Sequence, residues 1–242
     1  MAAVPAAEPT SPLDDLAVVM PLGPNEQTWR GVVPDLTALP AAARIVFVAT
    51  AEADLPPAAD AAVRDIRAEV VRAVAPRGRA HQLNAGARTA SRPWLWFLHA
   101  DSRLAPSTLP ALAATMTRAP DALGYFDLRF AADGPLAVHL NALGAFVRSR
   151  VLGLPFGDQG FFMTASTFAR LGGFDPTLPF GEDHAFVWAA RRGGVPLVAA
   201  GAPLYTSARK YAEAGWLATT LRHLRLTARQ VWEEARRVRD AT

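Results

Sequence analysis

The sequence lacks cysteine and any hydrophobic run long enough to cross a membrane. Without cysteine, the 242-residue chain has no disulfide framework, no thiolate metal cluster and no cysteine nucleophile, which fits a reducing compartment. Apolar runs such as residues 16–20 and 94–98 are far shorter than the ~20 residues that span a bilayer. We therefore expect a soluble or peripheral protein whose metal ligands, if any, are oxygen or imidazole.

The N-terminus also lacks the basic start of a secretory signal. Its first fifteen residues include three acids, Glu8, Asp14 and Asp15. We expect residues 1–15 to be a flexible tail and the protein to be cytoplasmic, either free or peripheral at the inner face of the membrane. The rest of the chain, which has 51% hydrophobic residues overall, can bury the core of one large domain or two small ones.

Positive charge is concentrated near the C-terminus. Residues 206–242 contain eight of the 25 Lys and Arg residues but only four of the 22 acids, although the net charge of the whole chain is only +3. This asymmetry has two interpretations: contact with an anionic ligand or membrane surface, or an ordinary solvated helix face.

Short apolar runs alternate with longer helix-compatible stretches. This pattern predicts an α/β fold with a mostly parallel sheet covered by helices on both faces. The predicted strands are residues 16–20, 44–50, 69–75, 94–100, 125–130 and 161–164. The predicted helices are residues 56–67, 80–90, 106–118, 136–152 and 183–192, with a brief helix capped by Ser166.

The last segment predicts an amphipathic helix from Trp216 onward. Spacings of three and four place an apolar stripe on one side and a basic stripe beside it. The apolar stripe comprises Leu217, Leu221, Leu224, Ala228 and Val231, and the basic stripe comprises Arg222, Arg225 and Arg229. We expect the apolar stripe to pack against the α/β domain, with contact between the basic face and lipid headgroups as the alternative.

Polar residues follow the predicted strand at 94–98. Asp101 comes just after this run, and ligands of open parallel sheets bind beyond the carboxyl ends of the strands. A carboxylate there is either a turn former or a ligand for Mg²⁺ or Mn²⁺ bridging a diphosphate.

Two further stretches carry groups suited to a site. Residues 77–87 combine arginines, side-chain amides and glycines at a predicted helix start, a combination that can bind an anion. The segment is not a P-loop, because it lacks the Gly-Lys-Ser/Thr ending. Residues 157–160 and 181–184 place acids beside glycines. Glu182 and Asp183 are either ordinary acids that match the dipole of a helix start or candidates for a base, which requires a substrate hydroxyl within hydrogen-bond reach.

In this order the motifs resemble family 2 glycosyltransferases of the GT-A fold, over residues 16–210. The resemblance is closest to the bacterial radical-SAM/selenodomain-associated subgroup. It implies a GT-A domain over residues 16–205, and the charge and spacing described above predict a basic amphipathic helical extension over 206–242. The residues that carry it are Pro21, Asn25, Glu26, Gly78, Arg79, Ala80, Gln82, Asn84, Gly86, Ala87, Phe97 to Ser102, Gly157 to Gln159, Gly172 to Phe174, Glu182 and Asp183.

The resemblance implies a role for each matched residue. Asp101 stands at the metal-binding acid of the family's Asp-x-Asp motif, so it is expected to hold Mn²⁺ or Mg²⁺, and His99 replaces the first acid. Asp183 is expected to be the base of an inverting transfer, with Glu182 shaping the acceptor side. The other expected donor-binding residues are Pro21, Asn25, Glu26, Arg77, Arg79 and Asn84, and the expected acceptor-side residues are Asp158 and Gln159.

The chain departs from the family pattern at two places. The turn after the first strand is one residue longer, and the second strand ends without the Asp that reads the nucleotide base. Either Glu52 or Asp54 substitutes for that Asp, or the donor differs, donor binding is weak, or the protein is a degenerate relative.

The sequence thus predicts a metal-assisted, inverting transfer of a sugar from a nucleoside diphosphate to an unidentified hydroxyl acceptor. The alternative is a noncatalytic module that binds a sugar nucleotide or an anionic surface. Nucleic-acid binding is not expected, because the basic residues lack interleaved aromatic residues for stacking on bases.

Overall fold

The computed structural model describes residues 11–240, and the side chains of all of these except 231, 233–235 and 237–240. An α/β architecture is formed around one mixed sheet. The strands are β1 (Leu16–Pro21), β2 (Arg44–Ala49), β3 (Glu69–Val74), β4 (Trp94–Phe97), β5 (Arg103–Leu104), β6 (Leu123–Phe130), β7 (Phe162–Thr164) and β8 (Leu197–Thr206). The helices are α1 (Trp29–Leu36), α2 (Ala61–Arg64), α3 (Arg79–Ala90), α4 (Thr108–Arg118), α5 (Val138–Arg150), α6 (Ala165–Arg170), α7 (Glu182–Arg192), α8 (Arg209–Glu213) and α9 (Trp216–Asp240).

The strand directions bring several strand ends to one edge. The order in the sheet is β3-β2-β1-β4-β7-β6-β8-β5. The first four strands are parallel as predicted, whereas β7 is antiparallel to both β4 and β6, and β8 is parallel to β6. Strands β1, β4, β6 and β8 therefore run in the same direction, and their carboxyl ends share one edge of the sheet.

Both faces of the sheet are covered, which explains the continuous apolar runs of β1 and β2. Val18 and Met20 pack in a core with residues of α1 and α4. Ala17 and Val19 point to the opposite face and pack in a second core with residues of α3 and α7. All four side chains are fully buried, as expected for parallel strands between two helical layers.

Helix α3 lies especially close to the sheet because of one glycine. A Cβ built on Gly86 would overlap the side chains of Val19 and Val48. One turn earlier, the buried amide of Gln82 donates to the carbonyls of Leu22 (2.7 Å) and Val48 (3.0 Å). These contacts fix the start of α3 beneath the ends of β1 and β2.

Several elements differ from the predictions, and α1, α8 and β5 were not predicted at all. The helix expected over residues 56–67 shrinks to α2, since Asp60 caps it by accepting from the Ala62 amide and two prolines precede the cap. Strand β8 was not predicted, because its Ala, Gly and Pro residues hide the period of a strand. Residues 12–15 of the expected tail form a 3₁₀ helix with Leu13 buried, and residues 1–10 lie outside the described residues.

Helix α9 does not bury its predicted apolar stripe. Leu217, Leu221 and Leu224 are exposed, while Thr219 on another side of the helix is buried. The helix instead packs through Trp216 against a third core, which contains residues of β6, α5 and α8. The expectation of a packed stripe was therefore wrong, and the side chain of Val231 lies outside the description.

Strand β8 ends at Thr206, next to the expected domain boundary. The division of the chain at that boundary stays a prediction. Among the described helices, none has both the length and the apolar character needed to cross a bilayer.

Candidate functional site

A cavity of about 400 Å³ lies at the shared edge where β1, β4 and β8 end. Five residues predicted on the donor side line it: Pro21, Glu26, Arg79, His99 and Asp101. The parallel strand directions bring these residues together from three separate parts of the chain. The other lining residues are Leu22, Gly23, Thr28, Gln82, Ala100 and Arg209.

Asp101 lies at the β8 side of this cavity. Its Oδ2 accepts a hydrogen bond from Thr206 Oγ1 at 3.4 Å, which ties the end of β4 to the end of β8. Burial raises the pKa of the Asp101 carboxyl, the Lys210 charge opposes that rise, and the Glu26 charge adds to it. The cavity thus contains a carboxylate that gains from a cation beside it.

His99 is held neutral next to Asp101. Burial lowers the pKa of the His99 imidazole well below its ordinary value, and the charges of Arg79 and Lys210 lower it further. Its Nε2 contacts the Arg79 guanidinium, which donates to it. His99 is therefore a positioning group for Arg79 at the place where the family pattern has an acid.

Arg79 links this cavity to the start of α7. Its Nε lies 3.3 Å from Oε1 of Glu182, whose side chain is only 9% exposed. Burial raises the pKa of the Glu182 carboxyl, and the Arg79 charge opposes this rise. Gly157 lies against both Arg79 and Asp183, since a Cβ there would meet atoms of each. The donor-side and acceptor-side motifs are therefore neighbours in space.

Asp183 is fixed by backbone amides. Its Oδ2 accepts from the Gly157 amide at 2.7 Å, and its Oδ1 accepts from the His184 amide at 2.9 Å. Such bonds hold a carboxylate in one orientation. Each oxygen retains a further lone pair that can accept a proton or a hydroxyl hydrogen bond.

Asp158 lies beside Asp183 in a different environment. Its Oδ1 is buried and has no hydrogen-bond partner among the described residues. Burial raises the pKa of its carboxyl, an effect that Arg148 opposes and Asp183 reinforces. Neither Asp158 nor Asp183 lines the 400 Å³ cavity, so they form a separate acidic pair next to it.

Arg148 balances this acidic pair. Its guanidinium lies 3.3 Å from the centroid of the Phe156 ring and donates to the Leu154 carbonyl. Burial lowers the pKa of Arg148, and the charges of Asp158 and Asp183 oppose that effect. The acidic pair of Asp158 and Asp183 therefore has a counter-charge, supplied by α5.

Four predicted site residues have other positions or partners. Asn84 bonds the backbone of Phe174 through both ends of its amide (2.7 and 2.9 Å), and buried Gln159 bonds the Phe126 carbonyl. Asn25 is exposed and does not line the 400 Å³ cavity, and its backbone N–H donates to Asp54 Oδ1. Arg77 lines a second cavity of about 210 Å³, beside His81 and Glu182. The side-chain amides of Asn84 and Gln159 are thus engaged by partners within the protein, and their predicted ligand roles stay predictions.

The carboxylates that line the first cavity can hold a divalent cation only if a bound ligand supplies further coordinating oxygens. In residues 11–240, no group of three or more His, Cys, Asp or Glu side chains is placed to hold a metal ion. Asp101 and Glu26 nevertheless line the same cavity. Mg²⁺ and Mn²⁺ accept one or two carboxylates when phosphate oxygens complete their coordination.

Two basic residues near the cavity, Arg209 and Lys210, were not predicted as site residues from the sequence. Arg209 lines the cavity, and the charge of Lys210 acts on both Asp101 and Asp158. Both residues follow β8, the unpredicted strand, so their place at the shared edge was hidden. Their only signal was the basic excess that begins at residue 206.

The comparison with protein families identifies one match. The model described as Glycosyl transferase family 2 matches residues 44–170, about half of the chain. No curated protein sequence matches the chain.

Solved structures share the fold. TarS from S. aureus in complex with UDP-GlcNAc superposes with a TM-score of 0.58 at 14% identity, covering 80% of this chain and 58% of that one. GalNAc-T7 with UDP, GalNAc and Mn²⁺ gives a TM-score of 0.57 at 15% identity, covering 80% of this chain and 44% of that one. The chain thus spans less than two thirds of either protein, and the likeness establishes the GT-A fold alone.

Proposed function

The chain belongs to glycosyl transferase family 2, and we propose on that basis that it transfers a sugar from a nucleoside-diphosphate donor to a hydroxyl acceptor. The observation that carries the proposal is the cavity lined by Asp101 and Arg79, beside the carboxylates of Asp158 and Asp183. Membership of the radical-SAM/selenodomain-associated subgroup and a cytoplasmic location stay predictions.

The donor binds in the cavity of about 400 Å³. Its diphosphate carries negative charge, and the guanidinium groups of Arg79 and Arg209 both line this space. The loop from Pro21 to Glu26 forms the wall on the side of β1 and faces the nucleoside. The UDP complexes of TarS and GalNAc-T7 support uridine diphosphate as the first nucleotide to test.

Asp101, with Glu26 nearby, is the residue that would hold Mn²⁺ or Mg²⁺. A divalent ion bound there would neutralise the charge that develops on the departing diphosphate. Burial raises the pKa of the Asp101 carboxyl, an unfavourable effect on its charged form that a cation beside it would offset. Arg79 and Arg209 stabilise the same developing charge from the other lining positions.

Asp183 is the proposed base. It takes the proton of the acceptor hydroxyl as the oxygen attacks the anomeric carbon, and the bond from that carbon to the diphosphate oxygen breaks. Attack opposite to the leaving group inverts the configuration. The amides of Gly157 and His184 orient the carboxylate before the acceptor arrives, so no reorientation is needed in the transition state.

Glu182 and Asp158 support this base differently. Glu182 keeps Arg79 in place through its ion pair. Asp158 is the proposed partner of the acceptor hydroxyl, a role supported by its unpartnered, buried Oδ1 beside Asp183. It is also the rival candidate for the base.

The experiment that tests donor binding uses UDP titrated calorimetrically with and without Mn²⁺. The wild-type chain is expected to bind UDP more tightly with Mn²⁺, and Asp101→Ala is expected to lose that gain, at least about tenfold or ~1.4 kcal/mol. Asp65→Ala, which removes an exposed carboxylate elsewhere, is the control. Binding in Asp101→Ala that still responds to Mn²⁺ as in the wild type would reject the role of Asp101.

A noncatalytic sugar-nucleotide module is the second candidate. It is favoured by the end of β2, because neither Glu52 nor Asp54 lines the cavity and Asp54 is bonded to the Asn25 amide. Release of UDP from UDP-sugars by the purified chain would exclude this candidate. Tight UDP-sugar binding with no turnover in the presence of cell-extracted acceptors would favour it.

A further inference from the structure

Helix α5 is apolar on two opposite sides. Val138, Ala142, Ala145 and Ser149 form its buried side. The opposite side consists of Leu140, Leu143 and Val147, and Leu136 and Val151, just outside the two ends of the helix, continue the same spacing; all five are exposed. A surface helix normally carries polar residues there. The outer side of α5 therefore exposes apolar area that nothing in the described chain covers.

The exposed stripe of α9 lies beside this surface. Asn141 of α5 bonds both Trp216 (2.6 Å) and Thr220 (3.0 Å) of α9, which fixes the two helices side by side. Leu217 and Leu221 directly follow these two partners in sequence and are 60% and 42% exposed. Leu140, which precedes Asn141, is 62% exposed. The two apolar stripes thus flank one helix junction.

Exposed apolar side chains are concentrated at this junction. Among the described residues, the large apolar side chains that are exposed lie on α9 or on α5 and the two residues at either end of it, with two exceptions, Val74 and Phe180. Single exposed apolar residues are ordinary, but a patch shared by two helices marks an interaction site.

Basic residues border the exposed leucines. Neither α5 nor residues 216–232 of α9 contain an acidic residue, although Glu213 precedes α9 and Glu233 and Glu234 follow Trp232 in sequence. Arg222 and Arg225 are exposed on α9, and Arg236 stacks on the exposed ring of Trp232, with its guanidinium carbon 4.4 Å from the centroid. Leucines bordered by arginines and a tryptophan match the acyl boundary and the anionic headgroups of a bilayer.

We propose that α5 and α9 together form a docking surface for an anionic lipid bilayer. The leucines of the two stripes enter the headgroup boundary, and Arg222 and Arg225 contact lipid phosphates. The same two helices supply Arg148, which interacts electrostatically with Asp158 and Asp183, and His223, which contacts Tyr211. Docking therefore holds the acceptor side of the molecule at the membrane surface.

Vesicle flotation tests this proposal with the full chain. The wild type is expected to float with vesicles of equal phosphatidylcholine and phosphatidylglycerol and to bind pure phosphatidylcholine weakly. The double variant Leu140→Asn/Leu143→Asn is expected to lose binding at least about tenfold, because it removes inserted apolar groups. Arg222→Gln/Arg225→Gln is expected to lose about tenfold or more and to be less sensitive to salt.

Matched controls separate the surface from general effects. Val74→Asn changes an exposed apolar residue of β3, and Arg64→Gln/Arg67→Gln changes an exposed arginine pair with the same spacing as Arg222 and Arg225. Both are expected to float like the wild type. Circular dichroism and UDP binding verify that each variant is folded.

Two results would overturn the proposal. One is wild-type flotation by the Leu140→Asn/Leu143→Asn variant. The other is a dimer in solution that these substitutions dissociate, with no vesicle binding, because the face would then join two copies of the chain. Flotation of Asp101→Ala is expected to be unchanged, so a failure of docking remains distinguishable from a failure of the proposed transfer.

Discussion

Arg79 Nε lies 3.3 Å from Glu182 Oε1, an ion pair between residues more than a hundred positions apart in the sequence. One partner starts α3 and the other starts α7. The same guanidinium lies against His99, and it lines the cavity that contains Asp101. This contact connects the cavity residues of the first half of the chain to the acidic residues at the start of α7.

Replacing Arg79 tests that connection. Arg79→Ala is expected to weaken UDP binding about tenfold or more, since it removes a guanidinium from the cavity and leaves the buried Glu182 without its partner. Calorimetry with UDP measures the loss. Arg77→Ala is the control, because Arg77 lines only the second cavity. Equal losses of UDP affinity for the two variants would show that Arg77 and Arg79 act through their overall charge and not through the position of Arg79.

The paired variants Asp183→Asn and Asp158→Asn identify the base. Asp183→Asn is expected to keep UDP binding and to lower the rate of UDP release from UDP-GlcNAc roughly 10²–10⁴-fold, the usual contribution of a general base. In this assay water takes the place of the acceptor. Asp158→Asn is expected to have a smaller effect on the rate. The reverse order would transfer the role of the base to Asp158.

Gly86 and Gly144 make a matched pair for packing. Gly86→Ala is expected to destabilise the fold by about 1–3 kcal/mol, since its methyl group would overlap Val19 and Val48. Gly144→Ala, in open space on α5, is expected to be neutral or to stabilise by up to ~1 kcal/mol through helix propensity. Urea unfolding measures both. Equal stability of the two variants would contradict the close approach of α3 to the sheet.

His223 makes stability depend on pH. Burial lowers the pKa of its imidazole, as do the charges of Lys210, Arg222 and Arg148, and its Nδ1 lies 3.1 Å from the Tyr211 hydroxyl. The unfolded imidazole, with a pKa near ~6.5, takes up a proton that the folded one does not. The free energy of unfolding therefore falls as the pH drops through that value toward the lower folded pKa.

The variant His223→Gln is expected to reduce this pH dependence while leaving part of it, because the pKa of His99 is also lowered. Urea unfolding between pH 7.5 and 5 measures the slope. His139→Gln, which removes an exposed imidazole of α5, is the control. A slope in His223→Gln that equals the wild-type slope would show that His223 does not contribute.

Much of the first half of the fold was predictable because its signals are local. The runs at β1 and β2 are buried on both faces, so their apolar character alone marks them as strands. Strand β8 has no such signal, because its residues are small and its position depends on pairing with β6. As a result, Arg209 and Lys210 were recognised as charge and not as parts of the site.

The sequence shows which polar residues stand in site-like motifs, but it does not show which partners they contact. Asn84 and Gln159 stand in motifs typical of a site, yet the structure uses their amides to bond backbone at Phe174 and Phe126. Whether a buried amide meets backbone or ligand depends on which chain segment passes nearby. Sequence spacing contains no information on that distance.

The sequence by itself determined the α/β class and the identity of the strand-end acids, since hydrophobic period and residue type are local properties. Only the tertiary structure decided the direction of β8. Strand β7 is antiparallel to both β4 and β6, and β8 is parallel to β6, so β8 runs in the same direction as β4 and its end brings Thr206 to Asp101. The tertiary structure also decided that the leucines of α9 face outward beside those of α5. Both outcomes depend on contacts between distant segments, because the side of a helix that is buried is set by the surface it meets.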